Sequence, residues 1–357
     1  MTPPPWIRVV IVNFNGADYL QKAVDALAEQ SDGAFECVVV DNASTDGSPD
    51  RLILPDARFT LLRSPTNLGF AGGSNLGARE ARSPWLAMLN PDAFAHPDWL
   101  KTMHAACLAY PDSAWFGSTQ LLDADPERLD GGGDNLSIFG IAWRGGYGQR
   151  AESVTSDITC FAPCAAAALY RREAFEALGG FAEDFFCYLE DVDLGFRLNL
   201  MGYSGLQLAR ARVRHAGSAI TGRHSPFTIH HSVSNGMAMM VRCMPGPLLA
   251  ISLPLYLLAQ FWLGFRSRSL PLRLRALAKA AAGLPNLWGQ RRNIQARRRL
   301  SLWQTTRLLT WNPMALSRRR IVPLTAHCLR ERARTPRPPM RERRVPSHGN
   351  PPLSGGH

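Results

Sequence analysis

A disulfide framework is the first thing the sequence leaves out. Its seven cysteines are odd in number and none stands in a CxxC or zinc-finger spacing, which excludes a disulfide-stapled or zinc-ribbon scaffold and points to a reducing compartment. Cys160 and Cys164, in CFAPC, miss the two-residue gap of a redox pair and read as buried apolar thiols. No GxGxxG follows the first apolar run, where the loop is NFNG, so a nicotinamide-dependent oxidoreductase is disfavoured. The opening MTPPPWIRVV has no basic stretch leading into an apolar one, and no signal peptide is expected. Acids nearly vanish beyond Pro247, where 21 Lys and Arg face only Glu331 and Glu342. That part carries +19 and, with the whole chain at +11, residues 1–246 carry −8. This basic tail has few interleaved aromatics and no nucleic-acid module, which argues against a nucleic-acid partner and leaves an anionic membrane surface.

What is present is a core-forming composition. At 357 residues, 46% hydrophobic and 19% charged, the chain can fill one or two domains. Arg8–Asn13, Glu36–Val40, Phe59–Leu62 and Trp85–Leu89 read as strands. Leu20, Val24 and Leu27 recur at helical spacing between the first two, and a short helix is expected around Ala78. Strands alternating with helices predict an α/β fold, a mostly parallel sheet with helices on both faces. Ligands in such sheets sit at the carboxyl ends of strands, where Asp41, Asn90 and Asp92 fall. The Gly-rich stretch Asn67–Gly77, NLGFAGGSNLG, would let backbone approach a ligand at Gly69, Gly72 and Gly73, or form a glycine-rich turn with no ligand.

Further on, Phe185–Arg197 reads FFCYLEDVDLGFR. Glu190, Asp191 and Asp193 lie within four residues of one amphipathic helix, and three carboxylates so close repel one another unless a cation, a proton or a substrate hydroxyl relieves them. The plainer alternative is a solvated acidic first turn favoured by the helix dipole.

In order along the chain, VVIVNFNG, VVVDNASTDGS, NLGFAGGSNLG, LNPDA, GGFAEDFF and YLEDVDLGFRL resemble the family 2 inverting glycosyltransferases of the GT-A fold, in their bacterial rhamnosyltransferase-like branch; the likeness covers about residues 7–220. The resemblance implies a nucleotide-sugar donor, dTDP-rhamnose first among them, with Asp41 touching the nucleoside and Asn13, Asn15, Asn42, Asn67, Gly69, Gly73, Asn75, Asn90 and Asp92 around the donor. The family's DxD element maps onto Asn90-Pro91-Asp92 and departs from it, since the first acid is Asn90. Asp92 is then the implied ligand of Mg²⁺ or Mn²⁺, and His215, closing the apparent strand Gly205–Arg214, its implied partner, which would tilt the preference towards Mn²⁺. Asp191 matches the family's general base, with Glu190 and Asp193 as helpers. Gly179–Phe186 reads either as an aromatic wall for the acceptor or as core packing; Thr221–His231 as a lid or a polar connection; Gly131–Gly148 as loops without a catalytic role.

Between Arg242 and Arg266 lie 23 uncharged residues, flanked by arginines and containing Tyr256 and Trp262, long enough to be a transmembrane candidate. The implied donor is cytosolic, yet Arg266, Arg268, Arg273 and Arg275 also favour the cytoplasmic side, and one crossing cannot satisfy both. Pro245, Pro247 and Pro254 weaken a straight helix. The expectation is a shallow or re-entrant hairpin at the cytoplasmic face of the inner membrane, with Leu272–Trp288 along the interface, against the alternative of a buried core helix. The expected organisation is a glycosyltransferase domain at 1–242, an apolar then Arg-rich helical region at 243–330, and a disordered Pro, Arg and Gly-rich tail at 331–357. The implied acceptor is a glycan or a polyprenyl-diphosphate-linked sugar. A relative using a UDP- or GDP-linked sugar, and a silent nucleotide-sugar-binding subunit suggested by Asn90, stand as alternatives.

Overall fold

The computed structural model describes residues 5–217 and 225–324. Eleven strands are formed by Ile7–Asn13 (β1), Phe35–Asp41 (β2), Phe59–Arg63 (β3), Trp85–Leu89 (β4), Ala93–Ala95 (β5), Trp115–Leu122 (β6), Asp125–Gly131 (β7), Asp134–Leu136 (β8), Ala142–Arg144 (β9), Ala167–Arg171 (β10) and Gly205–His215 (β11). The α-helices among the described residues are Ala17–Ala28 (α1), Ser48–Arg51 (α2), Gly69–Ala78 (α3), Trp99–Ala109 (α4), Arg172–Ala177 (α5), Glu190–Leu200 (α6), Pro226–Cys243 (α7), Gly246–Arg266 (α8), Leu270–Ala282 (α9), Leu284–Arg297 (α10), Leu302–Thr306 (α11) and Pro313–Ser317 (α12). The four N-terminal strands expected from the sequence are all present.

One sheet runs β3-β2-β1-β4-β10-β6-β11-β5, with β7 paired to β6, and β8 and β9 form a separate hairpin. β1 to β4 are parallel, as their nearly continuous apolar sequences require of strands covered on both faces. The expectation of a mostly parallel sheet fails beyond β4. β10 lies antiparallel between β4 and β6, and β5 and β7 are antiparallel to their neighbours, so the sheet is mixed. One core packs α1 and α4 against β1, β2 and β4; the other, larger core gathers α3, α6 and α7 on the opposite face.

α3 sits close on the sheet because it lacks side chains where it touches. A Cβ on Gly73 would lie 2.6 Å from Val12 Cγ1, and one on Gly69, whose φ is +71°, would lie 2.3 Å from the Phe186 carbonyl oxygen. The space freed by these two glycines is therefore filled by protein, and the expected close approach to a ligand is corrected: they serve helix-to-sheet and loop-to-loop packing.

The 243–265 segment is not a hairpin. Cys243 ends α7, and from Gly246 onward the segment is one uninterrupted helix, α8, which among the described residues is the one helix long and apolar enough to cross a membrane. Pro245 and Pro247 stand at its start, where proline is tolerated, and Pro254 removes only one ladder bond. A seam of Leu248, Ser252, Tyr256, Gln260 and Gly264 is buried, fastened where Tyr256 Oη donates to the Val233 carbonyl at 2.7 Å. Leu258, Phe261, Trp262 and Phe265 on the remaining surface are 67, 49, 61 and 63% exposed, so the buried-core-helix alternative also fails. Residues 331–357 lie outside the described residues, as do Arg223 and His224 of the expected lid; His230 and His231 belong to α7.

Candidate active site

Asn13 and Asp41 end neighbouring strands and stand in register with each other. Asn13 Nδ2 donates to Ser44 Oγ and Ser48 Oγ, both at 3.0 Å, and its Oδ1 is buried with no hydrogen-bond partner. Asp41 Oδ1 accepts from the Ser44 amide at 3.1 Å, and Asn15, itself at φ +54°, accepts from the Thr45 amide at 2.8 Å. These residues form a polar rim at the carboxyl edge of the sheet, the position expected of a ligand pocket.

The other asparagines are committed to the fold. Asn42 Nδ2 donates to Asn67 Oδ1 at 3.0 Å and to the Gly69 carbonyl at 2.9 Å, while its Oδ1 accepts from the Leu68 amide at 2.9 Å. Asn67 Oδ1 also accepts from the Gly69 amide at 2.9 Å, so the pair staples the loop that leads into α3. Asn75 bonds the Phe181 amide and carbonyl, each at 2.9 Å, and Glu183 Oε1 at 3.0 Å, which ties α3 to the 181–183 turn. Both polar atoms of Asn42 and Asn75, and Oδ1 of Asn67, all expected at the donor, are engaged in loop and helix contacts of the protein itself. Phe181 and Phe185 are buried in the larger core, with Phe181 packed edge-on against Tyr170 and Phe175, so the core-packing alternative describes them.

Asn90 and Asp92 follow β4 and meet the end of β11. His215 Nε2 lies 3.3 Å from Asp92 Oδ1 and 3.4 Å from Asn90 Nδ2, and its Nδ1 is 2.8 Å from Asp130 Oδ2. All but Asn90 are buried. Burial alone would lower the His215 pKa, but the hydrogen bonds to Asp130 and Asp92 outweigh it and raise it to about 9. Asp130 in turn bonds Arg144. A carboxylate behind the imidazole fixes ring orientation and points Nε2 at Asp92, the arrangement that supports a ligating histidine. With one carboxylate, one imidazole nitrogen and the Asn90 amide, the donor set suits a divalent cation such as Mn²⁺ or Mg²⁺.

A cavity of about 280 Å³ adjoins this group, lined among others by Asn90, Asp134, Trp143, Arg144, Glu190 and Asp191. Asp191 Oδ2 accepts from the Ala165 amide at 3.0 Å and Oδ1 from the Val192 amide at 2.8 Å, which fix the carboxylate on the cavity wall. Burial raises its pKa, against those two amides and Arg144. Asp134, with a carboxylate oxygen within 4.8 Å of one on Asp191, is pushed up to about 8 by burial and then by Asp191. Glu190 is 6% exposed, its Oε2 has no hydrogen-bond partner, and burial followed by the Asp191 charge lifts it well above the usual carboxylate range. Asp191 and Asn90 therefore line one cavity, whereas Asp92 and His215 are not part of its lining and adjoin it only through Asn90, which touches the His215 ring that contacts Asp92.

Asp193 is the member of the acidic cluster that the structure removes. It is fully buried on the other side of α6 and accepts from Arg197 Nε and Arg242 Nε, both at 2.7 Å. Two residues along a helix is a rotation of about 200°, so Asp193 cannot share the cavity with Asp191. Sequence reasoning misses Asp130, Asp134 and Arg144, which lie in or just before the stretch Gly131–Gly148, read as loops without a catalytic role. The signal available is DGGGD, two acids around three glycines; Asp130 ends β7, and Asp134 stands opposite Arg144 across the β8–β9 hairpin.

Residues 8–179 match the family model Glycosyl transferase family 2. The chain is 28% identical over 254 residues to an N-acetylglucosaminyl-diphospho-decaprenol L-rhamnosyltransferase of Mycobacterium tuberculosis, covering 63% of this chain and 81% of that protein. It is 28% identical over 230 residues to the O-antigen biosynthesis protein RfbC of Myxococcus xanthus, covering 60% of this chain and 18% of RfbC. Among solved structures, the mannosyltransferase PcManGT from Pyrobaculum calidifontis, in complex with GDP-Man and Mn²⁺, superposes with a TM-score of 0.51 at 21% identity, covering 86% of this chain and 84% of that one, which shows a shared GT-A-like fold. Residues 8–179 are thus a glycosyl transferase family 2 domain, and the chain is a glycosyltransferase.

Proposed function

We propose that this glycosyltransferase transfers L-rhamnose, with inversion, from dTDP-L-rhamnose to a hydroxyl of an N-acetylglucosaminyl-diphospho-polyprenol in cell-envelope glycan synthesis. The observation that carries the mechanism is the cavity that Asp191 and Asn90 both line, Asn90 touching the His215 ring that contacts Asp92. The choice of sugar and acceptor is supported by the likeness to the mycobacterial N-acetylglucosaminyl-diphospho-decaprenol L-rhamnosyltransferase.

In this reading Asp191 takes the proton of the acceptor hydroxyl as its oxygen bonds to the anomeric carbon, and the bond from that carbon to the diphosphate breaks on the opposite face. The Ala165 and Val192 amides hold the carboxylate oriented for the incoming proton, and burial raises its basicity. Glu190, deeper in the wall, binds acceptor hydroxyls. Asp92 and His215 would hold Mg²⁺ or Mn²⁺, with Asp130 fixing the imidazole. A divalent cation there supplies positive charge against the departing diphosphate. Asp41 and Asn15 face the nucleoside, with Asn13, fully buried beside them, holding Ser44 and Ser48 in place.

The enzyme works at the cytoplasmic face of the inner membrane in this account. The exposed aromatic face of α8 enters the acyl boundary and the following arginines meet anionic headgroups, which brings the cavity within reach of a lipid-linked acceptor. The test is a panel of dTDP-, UDP- and GDP-linked sugars, assayed with Mn²⁺ or Mg²⁺ for release of nucleotide diphosphate and for product on vesicle-borne N-acetylglucosaminyl-diphospho-polyprenol. Turnover of dTDP-rhamnose is expected. Turnover of UDP- or GDP-linked sugars alone would replace the donor assignment.

A further inference from the structure

Glu190 and Asp191 are delivered to the cavity by a turn that polypeptide does not adopt readily. Phe186, Tyr188 and Leu189 have φ of +62°, +73° and +65°, the left-handed region that favours glycine, and none of the three is glycine. Leu189 is the residue immediately before α6. Such a turn persists only where its surroundings over-determine it.

The surroundings here converge on one side chain of α7. Asn235 is buried, and its Nδ2 donates to the carbonyl oxygens of Phe185 at 2.9 Å, Cys187 at 2.9 Å and Tyr188 at 2.8 Å. Its Oδ1 accepts from Ser234 Oγ at 3.3 Å, so the amide nitrogen is the end that faces the turn. An amide nitrogen has two hydrogens to share among these carbonyls, whereas a carboxylate in its place would repel all three and an alanine would take this donor away from each, leaving the Phe185 carbonyl with the Cys187 amide. The rest of the α7 N-terminal half reinforces the contact. Tyr188 Oη and Thr228 Oγ1 are 3.1 Å apart, and the Phe186 ring stacks on His231 with centroids at 5.6 Å. On its other side Phe186 offers its carbonyl to the Ala71 amide at 3.1 Å, against the Gly69 backbone.

We propose that Asn235 is a positioning residue for the transfer reaction, holding the 185–189 turn in the form that places Asp191 on the cavity wall. The inference rests on the reading of Asp191 as the base. It also links that base to the C-terminal helices, because α7 is the element on which α8 is fastened, two residues before Asn235, through Tyr256 and the Val233 carbonyl.

The experiment compares wild type with Asn235→Ala, Asn235→Ser, Asp191→Asn, and Leu189→Gly placed in each Asn235 variant. Binding of dTDP, or of UDP or GDP where the donor panel selects those, is measured beside kcat, donor KM and deuterium uptake over 185–193. Asn235→Ala is expected to lower kcat by about 10- to 100-fold, the range produced by a displacement of roughly 1 Å at a reacting group. Donor KM and nucleotide binding stay within about twofold of wild type, since the donor rim is untouched. Uptake over 185–193 rises, and Leu189→Gly restores part of kcat, because glycine occupies that φ without strain. Asn235→Ser keeps one donor, falls between, and with its Leu189→Gly partner carries the test if the alanine variant does not fold. A kcat for Asn235→Ala within about twofold of wild type, or a loss that Leu189→Gly leaves untouched while nucleotide binding weakens in parallel, overturns the inference. If Asp191→Asn transfers sugar normally the base reading itself falls; if Asp191→Asn is inactive and Asn235→Ala is normal, only the positioning role does.

Discussion

The Asp193→Asn substitution removes a charge shared by two buried guanidinium groups. Its carboxylate accepts from Arg197 Nε and Arg242 Nε at 2.7 Å each, from Arg242 Nη2, and from Cys243 Sγ at 3.4 Å. Burial alone would raise its pKa, but Arg242 and Arg197 hold it below the ordinary range. A depressed carboxylate contributes stability that is fully present above its unfolded pKa and is lost as pH falls through the folded value, so at neutral pH the whole contribution is in place. Removing one partner of a buried ion pair costs about 3–5 kcal/mol. Arg197 would keep the Leu178 and Gly180 carbonyls at 2.8 Å, and Arg242 would keep Gln290 Oε1 at 2.8 Å, which places the cost at the lower end. With a urea slope of roughly 1–3 kcal/mol per molar, a loss of about 3 kcal/mol lowers the midpoint by at least about 1 M. Urea titration followed by tryptophan fluorescence measures this, alongside transfer by the folded protein without denaturant. The expected result is a lowered midpoint with transfer retained. An unchanged midpoint with transfer abolished would refute the reasoning and return Asp193 to the chemistry.

Other outcomes follow from the same geometry. Asp130→Asn releases the imidazole of His215 and should weaken Mn²⁺ binding by about 10- to 100-fold, read as free Mn²⁺ by electron paramagnetic resonance; unchanged binding would remove His215 and Asp130 from the metal site. Asp191 must be ionised to accept a proton and its pKa is raised, so kcat should climb with pH along a limb lying above the ordinary aspartate value of about 3.9; a limb at that value, or none, contradicts the buried-base account. Serine at Phe261, Trp262 and Phe265 together removes three exposed aromatics worth about 2 kcal/mol each on entering the acyl boundary. Binding to phosphatidylglycerol vesicles should then drop by more than about 100-fold in a sedimentation assay, while the wild type stays bound in about 1 M salt. Release of the wild type by salt alone would contradict insertion.

The parts of the fold that were legible are those set by local pattern. β1, β2 and β4 announced themselves as apolar runs ending on Asn or Asp, and that ending placed Asp41, Asn90 and Asp92 at the carboxyl edge of the sheet. The direction of β10 was not legible, because it depends on how a distant strand enters between β4 and β6. Nor was the burial of Asp130, at the end of β7, and of Asp134, which pairs with Arg144 across a hairpin in a stretch dominated by glycine. The separation of Asp191 from Asp193 was available in principle, since helical geometry alone turns them to opposite sides. Proximity in sequence obscured it. The prolines of α8 suggested a break, yet two stand where a helix begins and the third lies in a helix fastened along one seam.

Transfer by Asp191→Asn, measured together with its nucleotide affinity, bears on the central claim most directly. Asparagine preserves the shape of the side chain and cannot take a proton at neutral pH. The account predicts that transfer falls by at least about 100-fold, the scale of general-base catalysis, while the nucleotide diphosphate binds as tightly as to wild type. Transfer at the wild-type rate would contradict it.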